Sequence, residues 1–222
     1  PYDLFAPLPD IVSQRVGTLA QLPATRSGVL VVPVATLMQR LPPTRYIGGQ
    51  SLRMKRGDRL NLEFETRRLE QSGYRRVTQV QEPGDYAVRG GLLDLYPAGA
   101  ELPYRIELLD DEIDSLRSFD PESQRSLQQV DRIELLPARE FPFDANAARR
   151  VREALRERFD LDVRRSALYQ DLKNEVAPAG IEFYLPLFFD DTATLFDYLP
   201  PGALLILEES ALAAGESFFG HV

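Results

Sequence analysis

Between residues 74 and 136 the chain is written in short alternating or apolar runs, each cut off by turn formers within a few positions. Val77–Gln81 ends at Glu82-Pro83-Gly84-Asp85, Tyr86–Arg89 ends at Gly90-Gly91, and Leu92–Tyr96 follows. Tyr104–Leu109 puts Tyr104, Ile106 and Leu108 on one face and Arg105, Glu107 and Leu109 on the other. Asp110-Asp111 turns the chain into Ile113–Phe119, Asp120-Pro121 turns it again, and Arg132–Leu136 stops before Pro137. Such runs are too short for an amphipathic helix, and their period of two fits strands. The pattern predicts an antiparallel sheet of about five short strands, with one weakly periodic helix over Leu60–Ser72, closed by Gly73. This α+β domain is placed at 46–138.

The flanks have an α/β texture. Asp10–Leu22 reads as a helix capped by Asp10, with Val12, Val16 and Leu19 on one face. Val29–Val34 is a continuous apolar run, the signature of a strand buried on both faces of a parallel sheet, with Pro33 near its end. Ala35–Leu41 reads as a short helix stopped by Pro42-Pro43. After residue 138, Asp144 caps a helix whose apolar stripe is Ala148, Val151, Leu155 and Phe159. A second helix is expected over Ser166–Glu175 and a loop with aromatics over Pro178–Pro186. Ala203–Leu207 is a second buried-type strand ending at Glu208-Glu209, and the last dozen residues read as a fraying end. The fold class is therefore α/β, with segments 1–45 and 139–222 in one layer system and the α+β domain inserted between them.

Composition excludes much. The chain has 222 residues and a net charge of −8, with no Cys, no Trp and a single His, His221. A disulfide framework, a zinc or iron–sulfur site, a thiol nucleophile, a Ser-His-Asp triad and a multi-His metal site are out of reach. No apolar run approaches the ~20 residues of a membrane helix, and no signal segment opens the chain, so a cytoplasmic protein is expected. The start at Pro1 is read as that of a piece cut from something longer. Charge is uneven, with net +4 over residues 1–100 and net −12 over 101–222. The overall acidity argues against whole-surface DNA binding.

Nucleotide chemistry lacks its parts. A phosphate-cradling loop needs G-x-x-x-x-G-K-[ST], and neither Lys55 nor Lys173 sits in one. Leu204–Leu207 followed by Glu208-Glu209 has the outline of a Walker B strand, where a carboxylate at the strand end holds Mg²⁺. Without a partner loop it reads as a buried strand ending in solvated acids. Asp110, Asp111, Glu112 and Asp114 cluster in a hairpin turn, where acids serve backbone geometry. They are at best a weak metal candidate. The basic face of the 144–159 helix, Arg149, Arg150, Arg152, Arg156 and Arg158, reads as a solvated face. Arg75, Arg76, Arg89 and Arg105 remain. Sheet alternation lets Arg89 and Arg105 share a solvent face, with Glu107 two residues along and Tyr96 nearby. Arginine beside tyrosine is the composition of a protein-binding hot spot.

At these residues the sequence resembles the UvrB-like N-terminal module of the bacterial transcription-repair coupling factors (Mfd). The resemblance runs through PYDLFAPLPDIVSQR, VVPVATLMQRL, GYRRVTQVQEPGDYAVRGGLLDLYPAGAELPYRIELLDDEIDSLRSFDPESQRS, LLPAREFP, PAGIEFYLPLFF and TLFDYLPPGALLILEES, in the family's order. The same blocks are similar to UvrB. The resemblance implies a helicase-like α/β domain split in sequence, with an inserted α+β domain that docks on UvrA, the damage-surveying ATPase. The implied UvrA contacts are Arg75, Arg76, Arg89, Tyr96, Arg105 and Glu107. One arginine of the UvrB pattern is replaced by Ala87.

Two departures bear on function. The UvrB strand end Asp-Glu-Ser-His is matched by Glu208-Glu209-Ser210-Ala211, a degenerate motif. Tyr2-Asp3-Leu4-Phe5 runs through Ala6–Pro9 straight into the first helix, which leaves no room for UvrB's DNA-gripping hairpin. The resemblance therefore implies a non-catalytic adaptor. It would recruit UvrA to stalled RNA polymerase, need no cofactor in this segment, and belong to a longer ATP- and Mg²⁺-dependent DNA translocase. Other domains of that protein could mask the docking face, and RNA polymerase and DNA would be reached through it. The competing expectations are a DNA-dependent ATPase or helicase core fragment and a direct DNA-binding module. Arg89→Ala or Arg105→Glu is expected to abolish UvrA binding with the fold intact.

Overall fold

The structure is a computed structural model describing residues 7–49, 52–158 and 166–220. The first helix, α1, spans Pro9–Gln21. Pro9 opens it because proline's missing N–H costs nothing in a first turn. Asp10 therefore lies inside that turn, favoured by the helix dipole, and is not the cap that the sequence suggested. Val16 and Leu19 are buried with Leu41, Ile47 and Tyr198. At the turn over residues 97–100 the backbones nearly touch: a Cβ on Gly17 would stand 2.9 Å from the Gly99 Cα. The Ser13 hydroxyl accepts the Gly99 N–H there at 2.8 Å. Two short helices follow, α2 over Val34–Leu37 and α3 over Thr44–Gly49.

The middle segment begins with β1, Leu52–Lys55, and α4, Leu62–Gln71. Asn61 caps α4 by accepting the Phe64 N–H at 2.9 Å. Six strands then form one sheet in sequence order: β2 Arg75–Arg76, β3 Asp85–Arg89, β4 Leu92–Leu95, β5 Tyr104–Leu109, β6 Glu112–Phe119 and β7 Ser126–Gln129. All pairings are antiparallel except β2 with β3. The last strand, β8 (Arg132–Leu135), returns to pair antiparallel with β1, Leu52 opposite Leu135. The first and last strands thus clasp the two ends of the segment together. One face of the large sheet carries Tyr86, Leu93, Leu95, Ile106 and Leu116 into a core shared with Met54, Leu69 and Ile133. The Tyr86 hydroxyl crosses that core to donate to Glu70 on α4 at 2.7 Å.

The chain continues into α5, Ala145–Arg158, and α6, Ala167–Lys173. Asp144 caps α5 by accepting the Ala147 N–H at 2.8 Å, and Ser166 caps α6 through the Tyr169 N–H at 3.2 Å. Ala148, Val151 and Leu155 are buried against Leu172, Ile181 and Phe188. The expected 178–186 loop contains a 3₁₀ segment, Ile181–Leu187. The two flanks are joined to each other. Leu41 and Ala193 exchange backbone hydrogen bonds at 2.8 and 2.9 Å, Arg40 donates to Thr192, and the buried Tyr198 hydroxyl donates to the Pro42 carbonyl at 2.8 Å. Arg45 pairs with Asp191 across the same seam.

Four expectations are corrected. Residues 77–81 form no strand. The 77–84 loop folds over the second face of the large sheet, with Val80 buried against Ala87 and Phe119. Its ends keep backbone bonds, Val77 N–H to the Tyr86 carbonyl and Gly84 N–H to the Tyr96 carbonyl, and its middle is held by side chains: Asp85 accepts the Gln81 and Glu82 N–H groups, and Gln124 donates to the Val80 carbonyl. The apolar runs 29–34 and 203–207 are neither paired nor buried. Val29, Val31, Leu204 and Ile206 are 91%, 86%, 85% and 86% exposed. Both runs line one open cleft of about 870 Å³ with Ala211 and Ala214. The expected fraying end is instead helix α7, Ala211–Gly220. Strands β1 and β7 were not anticipated. Phe159, the Tyr2–Phe5 segment and His221 lie outside the described residues.

Candidate docking surface

Register decides which side chains meet. Ala87 lies opposite Asp94, Asp94 opposite Arg105, and Arg105 opposite Arg117. Arg89, Leu92, Glu107 and Ser115 form the next row. Both rows belong to the face turned away from the main core, so the shared face expected for Arg89, Arg105 and Glu107 is present. Arg75 lies beside Asp85 in the β2–β3 register, while Arg76 lies beside the core residue Tyr86. Arg76 is therefore exposed at the sheet edge in the opposite phase and does not join the others.

The arginines are held in place. Asp94 is completely buried on the central strand β4. Its Oδ1 accepts Arg105 Nε at 2.8 Å, and its Oδ2 accepts Arg105 Nη2 at 2.9 Å and Arg89 Nη2 at 3.4 Å. Arg105 also donates to the Gln124 carbonyl at 3.2 Å and lies over the Phe119 ring, 4.8 Å from its centre. Only 16% of its side chain is exposed, against 52% for Arg89. On the far side of the 77–84 loop the buried Asp85 grips Arg75 through Nε at 3.1 Å and Nη2 at 2.8 Å. These hydrogen bonds to Asp94 and Asp85 raise the already high pKa values of Arg105 and Arg75. The Arg105–Asp94 pair is bidentate, one nitrogen to each oxygen, which fixes direction as well as charge, whereas both Arg75 nitrogens share Asp85 Oδ1.

The remaining sequence candidates have partners too. Glu107 accepts from the Ser115 hydroxyl at 2.7 Å and stands 3.9 Å from Arg117. Tyr96 is half-buried, and its hydroxyl donates to the Glu101 carbonyl at 2.9 Å. Burial raises its pKa, with Asp10 and Glu101 adding to the effect. Ala87 packs under Val80 in the small cluster beneath the loop, so an arginine there would have to displace the loop. Sequence reasoning missed Asp94, Asp85 and Arg117. Asp85 was read as a turn residue, and the strand register that sets Asp94 between Ala87 and Arg105, and Arg117 beside Arg105, was not readable. Arg105 is also a brace of the fold: removing it would strand the buried Asp94 carboxylate, so Arg89 is the better position at which to probe binding with the fold kept.

Guanidinium groups held in this way present N–H donors suited to carboxylates and other acceptors. Glu208 and Glu209 are exposed in a turn, with Glu208 accepting from Ser210, and they do not end a strand. Lys55 ends β1 and Lys173 ends α6. Asp111 and Asp114 in the β5–β6 hairpin stand 3.8 and 3.9 Å from Arg59 and Arg56. Among the described residues no three His, Cys, Asp or Glu side chains converge on a metal position, and no helix is long and apolar enough to cross a membrane. On the α5 face, Arg150 pairs with Asp190 at 2.8 Å.

Residues 52–141 match the family described as the UvrB interaction domain. The chain is 49% identical over 216 residues to the transcription-repair-coupling factor of Escherichia coli, covering 95% of this chain and 19% of that protein. It is 44% identical to that of Haemophilus influenzae, covering 99% and 19%, and 30% identical to that of Bacillus subtilis, covering 90% and 18%. It thus spans about a fifth of the length of these relatives. The matched interaction domain and identity along nearly the whole chain lead to one assignment: the chain belongs to the transcription-repair coupling factor family.

Proposed function

We propose that this chain is a non-catalytic adaptor module that docks on UvrA through the second face of its six-stranded sheet. The observation that carries this reading is the Arg89–Asp94–Arg105 cluster, which lies inside the stretch matching the UvrB interaction domain. Arg75, Tyr96 and Glu107 fall in the same stretch and complete the proposed contact set of that face, whereas Arg76, beside Tyr86 in the opposite phase, would be reached only by a partner that wraps the sheet edge. Arg117 joins them as a half-exposed cation beside Glu107. In the longer protein the module would bring UvrA to stalled RNA polymerase in the cytoplasm. RNA polymerase and DNA contacts, and the use of ATP and Mg²⁺, would belong to motor domains outside these residues. Other domains of that protein could mask the docking face.

The proposed domain plan is a split, helicase-like α/β unit of 1–45 and 139–222 with the docking domain 46–138 inserted. The β1–β8 clasp and the Leu41–Ala193 seam support it. So does the meeting of the two lone apolar runs at one cleft, since runs of this composition suit central strands of a parallel sheet. A pull-down of purified UvrA by the 222-residue chain tests the adaptor reading. Capture is expected, and its absence at micromolar concentrations would overturn the reading. No thermal shift with Mg-ATP is expected; a shift would favour an ATPase fragment.

A further inference from the structure

We propose that Asp94 is the positioning residue of the docking face, and that it acts on the partner through Arg89. The inference rests on the UvrA reading and deepens it. Two guanidinium groups converge on one completely buried carboxylate, at 2.8, 2.9 and 3.4 Å. A buried carboxylate without such partners is strongly disfavoured, so both arginines are drawn to it. Their two positive charges face one negative charge, which leaves a net positive spot at the surface. Arg105 is nearly covered and serves as the inner brace. Arg89 keeps half of its side chain exposed, and its Nη2 also donates to the Thr78 carbonyl at 3.3 Å. Its outer edge is therefore aimed outward before any partner arrives. Prearrangement lowers the ordering cost of binding and shows in dissociation, whereas charge alone shows in association.

The separation of these two rates is the signature. Asp94→Asn removes a negative charge from a face that meets an acidic partner, so long-range attraction does not weaken. The variant also puts an amide N–H against the guanidinium donors and releases Arg89. Binding kinetics of the 222-residue chain to purified UvrA are measured for the wild type, Asp94→Asn, Arg89→Ala and the double variant, with thermal melts confirming the fold. Asp94→Asn should leave the association rate within about twofold and speed dissociation about tenfold. The double variant should fall well short of the product of the single effects, because the two residues act through one contact.

Unchanged dissociation in a folded Asp94→Asn variant, or effects that multiply, would overturn the positioning role. A wild-type chain that does not bind UvrA would overturn the docking reading instead. Should Asp94→Asn fail to fold, NMR of the free wild-type chain decides. Hindered rotation of the Arg89 guanidinium is expected, and free averaging would overturn the inference.

Discussion

Leu92-Leu93-Asp94-Leu95 and Leu204-Leu205-Ile206-Leu207 are runs of similar length and similar apolar weight with opposite fates. The first is strand β4, paired on both sides, with Leu93 and Leu95 completely buried. The second has no ladder and is 57–86% exposed. Hydrophobicity is not what separates them. Strand β4 has neighbours supplied within a few residues by hairpins, at Gly90-Gly91 on one side and through 96–103 on the other. Ile206 and Leu207 of the 203–207 run face the equally unpaired 29–34 run, α2 and α7 across an open cleft. An apolar run becomes a strand when a backbone partner reaches at least one of its edges, and local chain geometry delivered partners to the first run and not to the second.

The largest effect expected from breaking the closed region is at its polar centre. Arg105→Ala leaves Asp94 buried with a single, longer contact to Arg89 and removes the stack on Phe119, at a cost of about 3–5 kcal/mol in urea unfolding. Ile106→Ala, one position along and completely buried, opens a cavity in the main core and should cost about 2–4 kcal/mol by the same measurement.

A smaller effect is a change in pH dependence at Glu140. Burial raises its carboxyl above the usual 4.5, partly opposed by Arg15 at 3.1 Å. The native state then holds the proton more tightly than the unfolded chain. This contribution to stability is complete below about 4.5 and is lost as pH rises through the raised native value. Glu140→Gln should therefore show a flatter fall in stability from pH 4.5 towards neutrality than the wild type, read by urea midpoints along the series.

The smallest effect belongs to the open region. Ile206→Ala should shift stability by no more than about 0.5 kcal/mol, because the side chain is already in solvent. A cost near that of Ile106→Ala would mean that the 203–207 run is packed within this chain after all.

What could be read from the sequence follows the same division. Helices α4, α5 and α6 were legible because their stop and cap signals, Gly73, Asp144 and Ser166, act over one turn. Strands β3 to β6 and β8 were legible because turn residues bracket them. Strand β7, Ser-Leu-Gln-Gln, is exposed throughout and carries no alternation to detect. The 77–81 run imitates a strand, but beyond Val77 its backbone is held by the side chains of Arg89, Gln124 and Asp85, which no local pattern reveals. The site was half legible. Period two placed Arg89, Arg105 and Glu107 on one face, whereas Asp94 looked like an interruption in a leucine run. Its meaning depends on a register set by two neighbouring strands.

The central claim is that this face docks on UvrA through its exposed arginines. Isothermal titration calorimetry of purified UvrA with the wild-type chain and with Arg89→Ala tests it most directly, since Asp94 keeps Arg105 and the fold should hold. Measurable wild-type binding that weakens about thirtyfold or more in the variant, a loss of ~2 kcal/mol or greater, is the predicted result. Equal affinity of the two proteins for UvrA would contradict it.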